Sequence, residues 1–587
     1  MNVVEFLNVN AEKYPLKPAI GFRKNNEWKE INWKTFRTVV FKTANALKNI
    51  GIEPNDKVAV YADNSAEWIT FDLAILALGA ISVPIYSTNN MEQTEYIINH
   101  SESKAILVGD QDQYNAVVEI MDRNLFLKHI IAAKKKIFIN KDRSVFFEDF
   151  IEKQSESFDI FPKNDEDLAT VIYTSGTTGI PKGVMLTQGN FRMCFDAHFD
   201  FFKFKNFENE HSLAFLPLSH VFERSWTLLC LNAGAKVSFL DDTKLIAAAL
   251  PQVKPTTMCA VPRFWQKIYA GVLDNVKNSS SSKQKIFNWA IKIGEEIAEL
   301  KRKNQPIPFG LNAKYSIANG LVFSKIKNKL GGKLWFMPCG GASISPEVTK
   351  FFDAMGIHIT CGYGLTETTA TLTAFPFYNY QHGTAGLPLP GTEIKIGEND
   401  EILAKGNGIM TGYYKNAEET AKVFTEDGWF KTGDAGKFDE NGNLVITDRI
   451  KDLMKTSNGK YIAPQMIENH LSNNNYINQI MVVAEGKPFV SAVVVPNFEV
   501  LKEELENINV SFTNWKEVVN NPKVHDFYKE KIETFQHHLN GFEKVKKFTL
   551  LPAEFEIASG EITPTLKIKR NIVLKKYEEH IEKMYQH

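Results

Sequence analysis

Thr170-Val-Ile-Tyr-Thr174-Ser-Gly-Thr-Thr-Gly-Ile-Pro-Lys182-Gly183 is the most informative stretch of the chain. Thr170–Tyr173 is a short β-branched run and reads as a strand. It feeds directly into a loop with four hydroxyl residues: Thr174, Ser175, Thr177 and Thr178. Hydroxyls donate to phosphate oxygens. Gly176 and Gly179 let backbone N–H groups come close to an anion and permit positive φ. Lys182 adds a point charge. Such a density of donors, ending in Pro-Lys-Gly, suits a polyphosphate better than an ordinary surface turn. A Walker A loop is excluded, because Pro181 stands where that pattern needs glycine. A dinucleotide fingerprint around Gly406 and Gly408 is excluded as well, because position 411 is Thr411.

Outward from this loop, short apolar runs alternate with helical stretches. Lys57–Tyr61, Ala105–Val108, Leu213–Leu216, Lys236–Leu240, Thr257–Val261 and Ile357–Thr360 read as strands. Phe71–Leu78 and Pro346–Met355 read as helices. The alternation predicts parallel sheets of the α/β class. After Gly383 the texture changes to short strands divided by Gly, Asn and Asp turns: Glu393–Ile396, Ile402–Lys405 and Asn443–Thr447, with the turn Asp439–Gly442. This predicts a β-rich antiparallel subdomain. A boundary is expected near Asp448–Lys455, followed by a small α+β unit with strands Ile480–Val483 and Val490–Val495. Between about 275 and 330, Phe287, Ala290, Ile291 and Ile297 recur at helical spacing in a lysine-rich segment. A surface pair of amphipathic helices is the reading there, with a lid or membrane-facing insertion as the alternative.

The chain has 587 residues, 44% hydrophobic and 23% charged, as in ordinary globular proteins. Its 68 basic and 69 acidic residues argue against a nucleic-acid binder. Five cysteines without a C-x-x-C pair point to reduced thiols in a cytosolic protein, with neither a zinc site nor a disulfide framework. The N-terminus lacks the pattern of a signal peptide. The longest charge-free apolar stretch, Leu73–Tyr86, is too short to span a bilayer. Any membrane contact is therefore expected to be peripheral.

The loop resembles the signature loop of the adenylate-forming superfamily, which includes acyl-CoA synthetases, peptide-synthetase adenylation domains and beetle luciferases. The resemblance continues in order along nearly the whole chain and is strongest toward long-chain fatty acyl-CoA synthetases, through Asn64–Ile69, Gly79–Thr88, Phe215–Glu223, Leu321–Pro346 and Thr384–Gly391. It implies an α/β protein: a large N-terminal domain (1–448) of two α/β subdomains plus a β-rich one, and a small mobile α+β lid (449–587). Gly362–Glu367 resembles the second nucleotide motif, in which Tyr363 would stack on adenine, Thr366 would bond the α-phosphate and Glu367 would hold Mg²⁺. Gly340, Gly341 and Ala342 resemble the lining of the adenine and acyl pocket. Trp429–Asp434 resembles the ribose motif, with Asp434 accepting from the hydroxyls and Arg449 contacting ribose or phosphate. Lys451 falls at the family's hinge. Gly560–Arg570 resembles the catalytic-lysine motif, with Lys567 as the matched residue and Lys569 and Arg570 as the basic residues that follow. Pro217–Glu223 resembles the motif that places His220 beside the acyl carboxylate.

The resemblance further implies ATP, Mg²⁺ and coenzyme A as cofactors and a long-chain fatty acid as substrate. Lys455, Lys460 and the cluster at 544–547 are candidate CoA contacts. The expected chemistry is attack of a carboxylate on the α-phosphorus, loss of pyrophosphate, and thioester formation after the lid has rotated. An acyl-AMP ligase that loads a carrier protein is the alternative within enzymes; a non-catalytic sensor is disfavoured by the joint presence of Lys182, Thr366, Glu367, Asp434, Arg449 and Lys567.

Overall fold

The computed structural model describes every residue except 1, 175–180, 451–453, 459, 473, 538, 557–558, 564–567 and 587, together with the side chains of Arg449 and Tyr461. Two large sheets dominate. In the first, Leu168–Thr174, Ile81–Ile85, Lys57–Tyr61, Ala105–Val108, His129–Ala132 and Ser144–Phe146 run parallel in that spatial order. Lys182–Thr187 and then Gly412–Tyr413 add antiparallel strands at one edge. The second sheet begins with Glu27–Asn32, Pro18–Lys24, Lys236–Phe239 and His211–Ala214. Thr257 bridges Ser212 to Phe336, so the sheet continues into Phe336–Cys339, His358–Tyr363, Thr373–Ala374 and Leu387–Pro388. Buried helices cover the faces, as parallel sheets require. Helix Ala66–Ala77 is buried at every residue from Trp68 to Ala77, which explains an apolar run without an exposed stripe. Ser65 starts this helix by accepting the Trp68 N–H at 3.1 Å.

A third, antiparallel sheet of Thr392–Ile396, Glu401–Gly406, Phe430–Phe438 and Leu444–Arg449 is the expected β-rich subdomain. The C-terminal part is α+β. It holds the pair Met454–Lys455 and Tyr461–Ile462, and the sheet Ile477–Val483, Ser491–Pro496 and Lys547–Leu550 flanked by helices. Helix Pro262–Lys277 meets it: Arg263 donates to Asn478, Lys277 donates to Tyr476 Oη at 3.5 Å, and Lys277 lies 3.9 Å from Glu504.

Several sequence expectations shift. The strand expected at Leu213–Leu216 is His211–Ala214, because the Leu216 N–H goes to the Glu223 side chain at 3.2 Å rather than to a neighbouring strand. Thr257–Val261 pairs only at Thr257 and Ala260, between Pro255 and Pro262. The strand Phe430–Phe438 was not expected, since Lys431, Thr432, Gly433 and Asp434 give it no β-branched alternation. Between 281 and 302 the helix buries Phe287, Ala290, Ile293, Gly294 and Ile297, while Ile291 is half-buried. All five cysteines are free and buried. No helix among the described residues is long and apolar enough to cross a membrane.

Candidate active site

Thr174 ends one strand and Lys182 begins the next, and the two residues pair across the hairpin. The base of the loop between them is therefore clamped by a ladder. Ser175, Gly176, Thr177, Thr178 and Gly179 lie outside the described residues. Lys182 sits at this base with its ammonium 5.1 Å from the Tyr413 ring centroid and in an ion pair with Glu419. The Lys182 contact, together with Lys422, holds the Glu419 carboxyl at about 2. Neither Tyr413 nor Glu419 was marked by sequence reasoning. Tyr413 arrives because Gly412–Tyr413 pairs with Lys182–Thr187, and Glu419 because helix Ala417–Val423 follows at once.

Tyr413 also joins the loop to the second nucleotide motif. Its hydroxyl donates to Glu367 Oε1 at 2.9 Å, and the Met410 N–H donates to the Glu367 carbonyl at 2.8 Å. Burial and the neighbouring Glu367 charge push the Tyr413 phenol well above its ordinary range. Tyr363 ends the strand His358–Tyr363, and Thr366 opens a single 3-10 turn, Thr366–Thr368. The Thr368 hydroxyl accepts the Leu365 N–H at 2.8 Å, so the turn is capped by Thr368, not by Glu367. Glu367 is left to face the Tyr413 hydroxyl. The backbone here is tightly folded: Thr369 and Ala370 have φ of 50° and 79°, and a Cβ on Gly364 would lie 2.1 Å from the Ala370 carbonyl oxygen. Only glycine fits at position 364.

The ribose motif meets the same residues. Tyr363 Oη donates to Asp434 Oδ2 at 2.7 Å, and both side chains are buried. Asp434 pairs with Arg449 across the hairpin Phe430–Phe438 and Leu444–Arg449. The Tyr363 hydroxyl thus buttresses Asp434, in addition to the stacking role expected for the ring. Four motifs separated by up to 275 positions converge on one wall: the loop base, Glu367, Tyr363 with Asp434, and the Arg449 backbone.

His220 caps helix Val221–Asn232, its Nδ1 accepting the Phe222 N–H at 3.2 Å, and its ring centroid is 6.5 Å from that of Tyr86. With Nδ1 as acceptor, a neutral ring carries its proton on Nε2 and can donate from there. Helix Val221–Asn232 faces this wall across an apolar pocket, lined by Phe222, Trp226 and Leu229 and by Phe336, Gly340 and Gly362. Gly341 and Ala342 are exposed at its rim; Gly341 has φ of 86° and open space where a side chain would stand.

Below His220 lies a buried polar cluster. Glu223, fully buried, accepts the Leu216 N–H at 3.2 Å, and burial pushes its carboxyl up to about 8. Arg224 is completely buried and donates to Asp72 at 2.8 and 3.0 Å and to Thr170 Oγ1 at 2.7 Å. Ser82 Oγ donates to Asp72 at 2.6 Å, and Thr170 donates to the Ser82 carbonyl at 2.7 Å. The helix that starts at His220 is thereby tied to the strand that ends at Thr174.

The donor set fits a nucleoside triphosphate. It offers a cation at the loop base, a buried carboxylate for hydroxyl groups and a flat phenol ring beside it. Among the described residues no cluster of three or more His, Cys, Asp or Glu side chains forms. A magnesium ion at Glu367 would accordingly be completed by phosphate oxygens, which is its habitual arrangement. Lys451 and Lys567 lie outside the described residues. The flanks of Lys567 are firmly held: Ile562 bridges Ile568, the Lys569 N–H donates to the Glu561 carbonyl at 2.8 Å, and Arg570 grips Glu468 through two bonds of 2.6 and 2.7 Å.

Residues 7–414 match the family described as AMP-binding enzyme, and residues 451–587 match the AMP-binding enzyme C-terminal domain. The long-chain-fatty-acid–CoA ligase FadD15 of Mycobacterium bovis is 30% identical over 95% of this chain and 92% of its own. The peroxisomal long chain acyl-CoA synthetase 6 of Arabidopsis thaliana is 31% identical over 95% of this chain and 82% of its own. In fold, the chain is similar to the anthranilate CoA ligase AuaEII in complex with anthranoyl-AMP, with a TM-score of 0.77, 17% identity, and coverage of 99% and 98%. The chain belongs to the AMP-binding enzyme family of adenylate-forming ligases.

Proposed function

We propose that the chain activates a long-chain fatty acid with ATP and passes the acyl group to coenzyme A. A carboxylate oxygen attacks the α-phosphorus, the bond to the bridging oxygen breaks, and pyrophosphate leaves. A thiol then attacks the acyl carbon, the bond to AMP breaks, and acyl-CoA forms. The observation that carries this reading is the apolar pocket beside Gly340 and Gly362, about 40 Å³ as it stands, which would have to open to admit an acyl chain. An acyl chain along Phe222, Trp226 and Leu229 would lie against Gly340 and Gly362. Relatives of 30–31% identity that bear long-chain names support the same substrate class.

The roles follow from chemistry. Thr174–Lys182 would cradle the β and γ phosphates, with Lys182 exchanging Glu419 for phosphate. Thr366 would meet the α-phosphate. The Nε2–H of His220 would steady one carboxylate oxygen, and Asp434 with Arg449 would fix the ribose. Magnesium held by Glu367 would neutralise phosphate charge. Gly341 and Ala342 would border the adenine. Lys567 would stabilise the charge that builds on the bridging oxygen. The lid, residues 449–587, would turn about Lys451 and carry Lys567 away before the thiol arrives. Lys455, Lys460 and Lys544–Lys547 would receive the CoA phosphates.

Pyrophosphate release measured across acids from acetate to stearate, with and without CoA, tests the reading. Release should rise with chain length, and acyl-CoA should accumulate when CoA is present. Stimulation by octanoate and shorter acids alone contradicts the long-chain substrate. Acyl-AMP that no CoA discharges transfers the second step to a carrier protein.

A further inference from the structure

Between Leu300 and Pro346 the chain carries seven lysines and one arginine and no Asp or Glu, although basic and acidic residues balance at 68 and 69 over the whole sequence. In the middle of this segment a helix runs from Phe309 to Lys329, α-helical on either side of a π turn at Asn319–Phe323. Its inward side packs: Ala318 and Phe323 are buried, and the Tyr315 ring lies 5.7 Å from that of Phe323. Its outward side carries Phe309, Ala313, Ile317 and Leu321 at steps of four, which aligns them along one side of a helix. Phe309 is 90% exposed, Ile317 56% and Leu321 49%. Lys314, Lys325 and Lys329 are exposed on the same helix.

We infer that this helix docks flat on an anionic lipid bilayer, with Phe309, Ile317 and Leu321 entering the headgroup layer and the lysines contacting lipid phosphate. The inference is independent of the proposed reaction. An apolar stripe bordered by lysines is the pattern of a helix lying in a membrane interface. The acid-free segment around it complements a negative leaflet, where each lysine near the surface contributes about fivefold in partition. A second copy of the chain fits poorly, since two like-charged segments would meet. Nucleic acid fits poorly as well, since the centre of the outward face is apolar and not cationic.

Cosedimentation of the full chain with vesicles of phosphatidylcholine, alone or mixed with phosphatidylserine, at low and high salt, tests this. The chain should bind the mixed vesicles, and less so at high salt. Phe309→Ser/Ile317→Ser/Leu321→Ser should abolish retention. Lys314→Glu/Lys325→Glu/Lys329→Glu should weaken it by about 100-fold or more. Both variants should keep the wild-type thermal midpoint and ATP turnover on a water-soluble acid, because all six side chains are exposed. Equal binding to both vesicle types, or undiminished binding by either variant, overturns the inference. So does a wild-type dimer that the serine variant dissociates, which assigns the stripe to self-association. Tighter binding to duplex RNA than to mixed vesicles, lost only with the lysines, assigns the segment to nucleic acid.

Discussion

Replacing Arg224 by methionine is the sharpest test of how the site is held. Arg224 and Asp72 have no exposed side-chain surface, and Arg224 gives two bonds to Asp72 and one to Thr170. Arg224→Met leaves a buried carboxylate with Ser82 as its remaining donor in this cluster. Removing one partner of such a pair typically costs about 3–5 kcal/mol, because the surviving charge stays out of water. That is a large part of the 5–15 kcal/mol that typically separates folded from unfolded protein. Asp72→Leu/Arg224→Met removes both charges. Its residual cost should be about 1–2 kcal/mol, from the Ser82 hydroxyl that loses its acceptor, while Thr170 keeps its bond to the Ser82 carbonyl. Urea unfolding followed by tryptophan fluorescence reports on the same body, since Trp33, Trp68 and Trp265 are buried in it. The midpoint should fall steeply in the single variant and recover in the double one. A single variant within about 1 kcal/mol of wild type, or a double variant as weak as the single one, refutes the reasoning.

Glu223 gives a pH signature. Its folded carboxyl titrates at about 8, above the unfolded value near 4.5. Between these values the folded state keeps a proton that the unfolded state has lost, so stability falls as pH rises through the window. Glu223→Gln removes that slope, and its thermal midpoint should overtake wild type increasingly up to about pH 8; parallel curves would contradict this. Tyr363→Phe deletes the donor to Asp434. The KM for ATP should rise by about tenfold, as expected for a bond to a charged group, with little change in kcat; an unchanged KM would remove Asp434 from nucleotide binding. Glu419→Gln frees Lys182 from its ion pair, so steady-state kinetics should show the KM for ATP falling a few-fold, whereas a rise would mean that Glu419 orients Lys182 for its ligand.

Features set by local spacing were readable before the structure. Gly362–Glu367 and Asp434 stood out only through their resemblance to a family's motifs, whereas the hydroxyl-glycine loop is a run of a few residues whose chemistry is intrinsic to the run. The alternation of strands and helices gave the α/β class for the same reason. Contacts made by the fold were not readable. Tyr413 and Glu419 look like ordinary surface residues until the Gly412–Tyr413 strand places them beside Lys182. Arg224 follows a motif that was recognised for His220, yet nothing in the sequence distinguishes a buried arginine from an exposed one. Phe430–Phe438 escaped notice because Lys431, Thr432, Gly433 and Asp434 displace the apolar alternation that marks a strand.

We propose that one wall holds ATP while Lys567, delivered by the C-terminal lid, makes pyrophosphate leave. Lys567→Ala assayed in two separate half-reactions tests it most directly. Acyl-AMP formation from ATP and palmitate should be crippled, while thioester formation from supplied palmitoyl-AMP and CoA should be largely spared. Equal loss in both half-reactions would contradict the account.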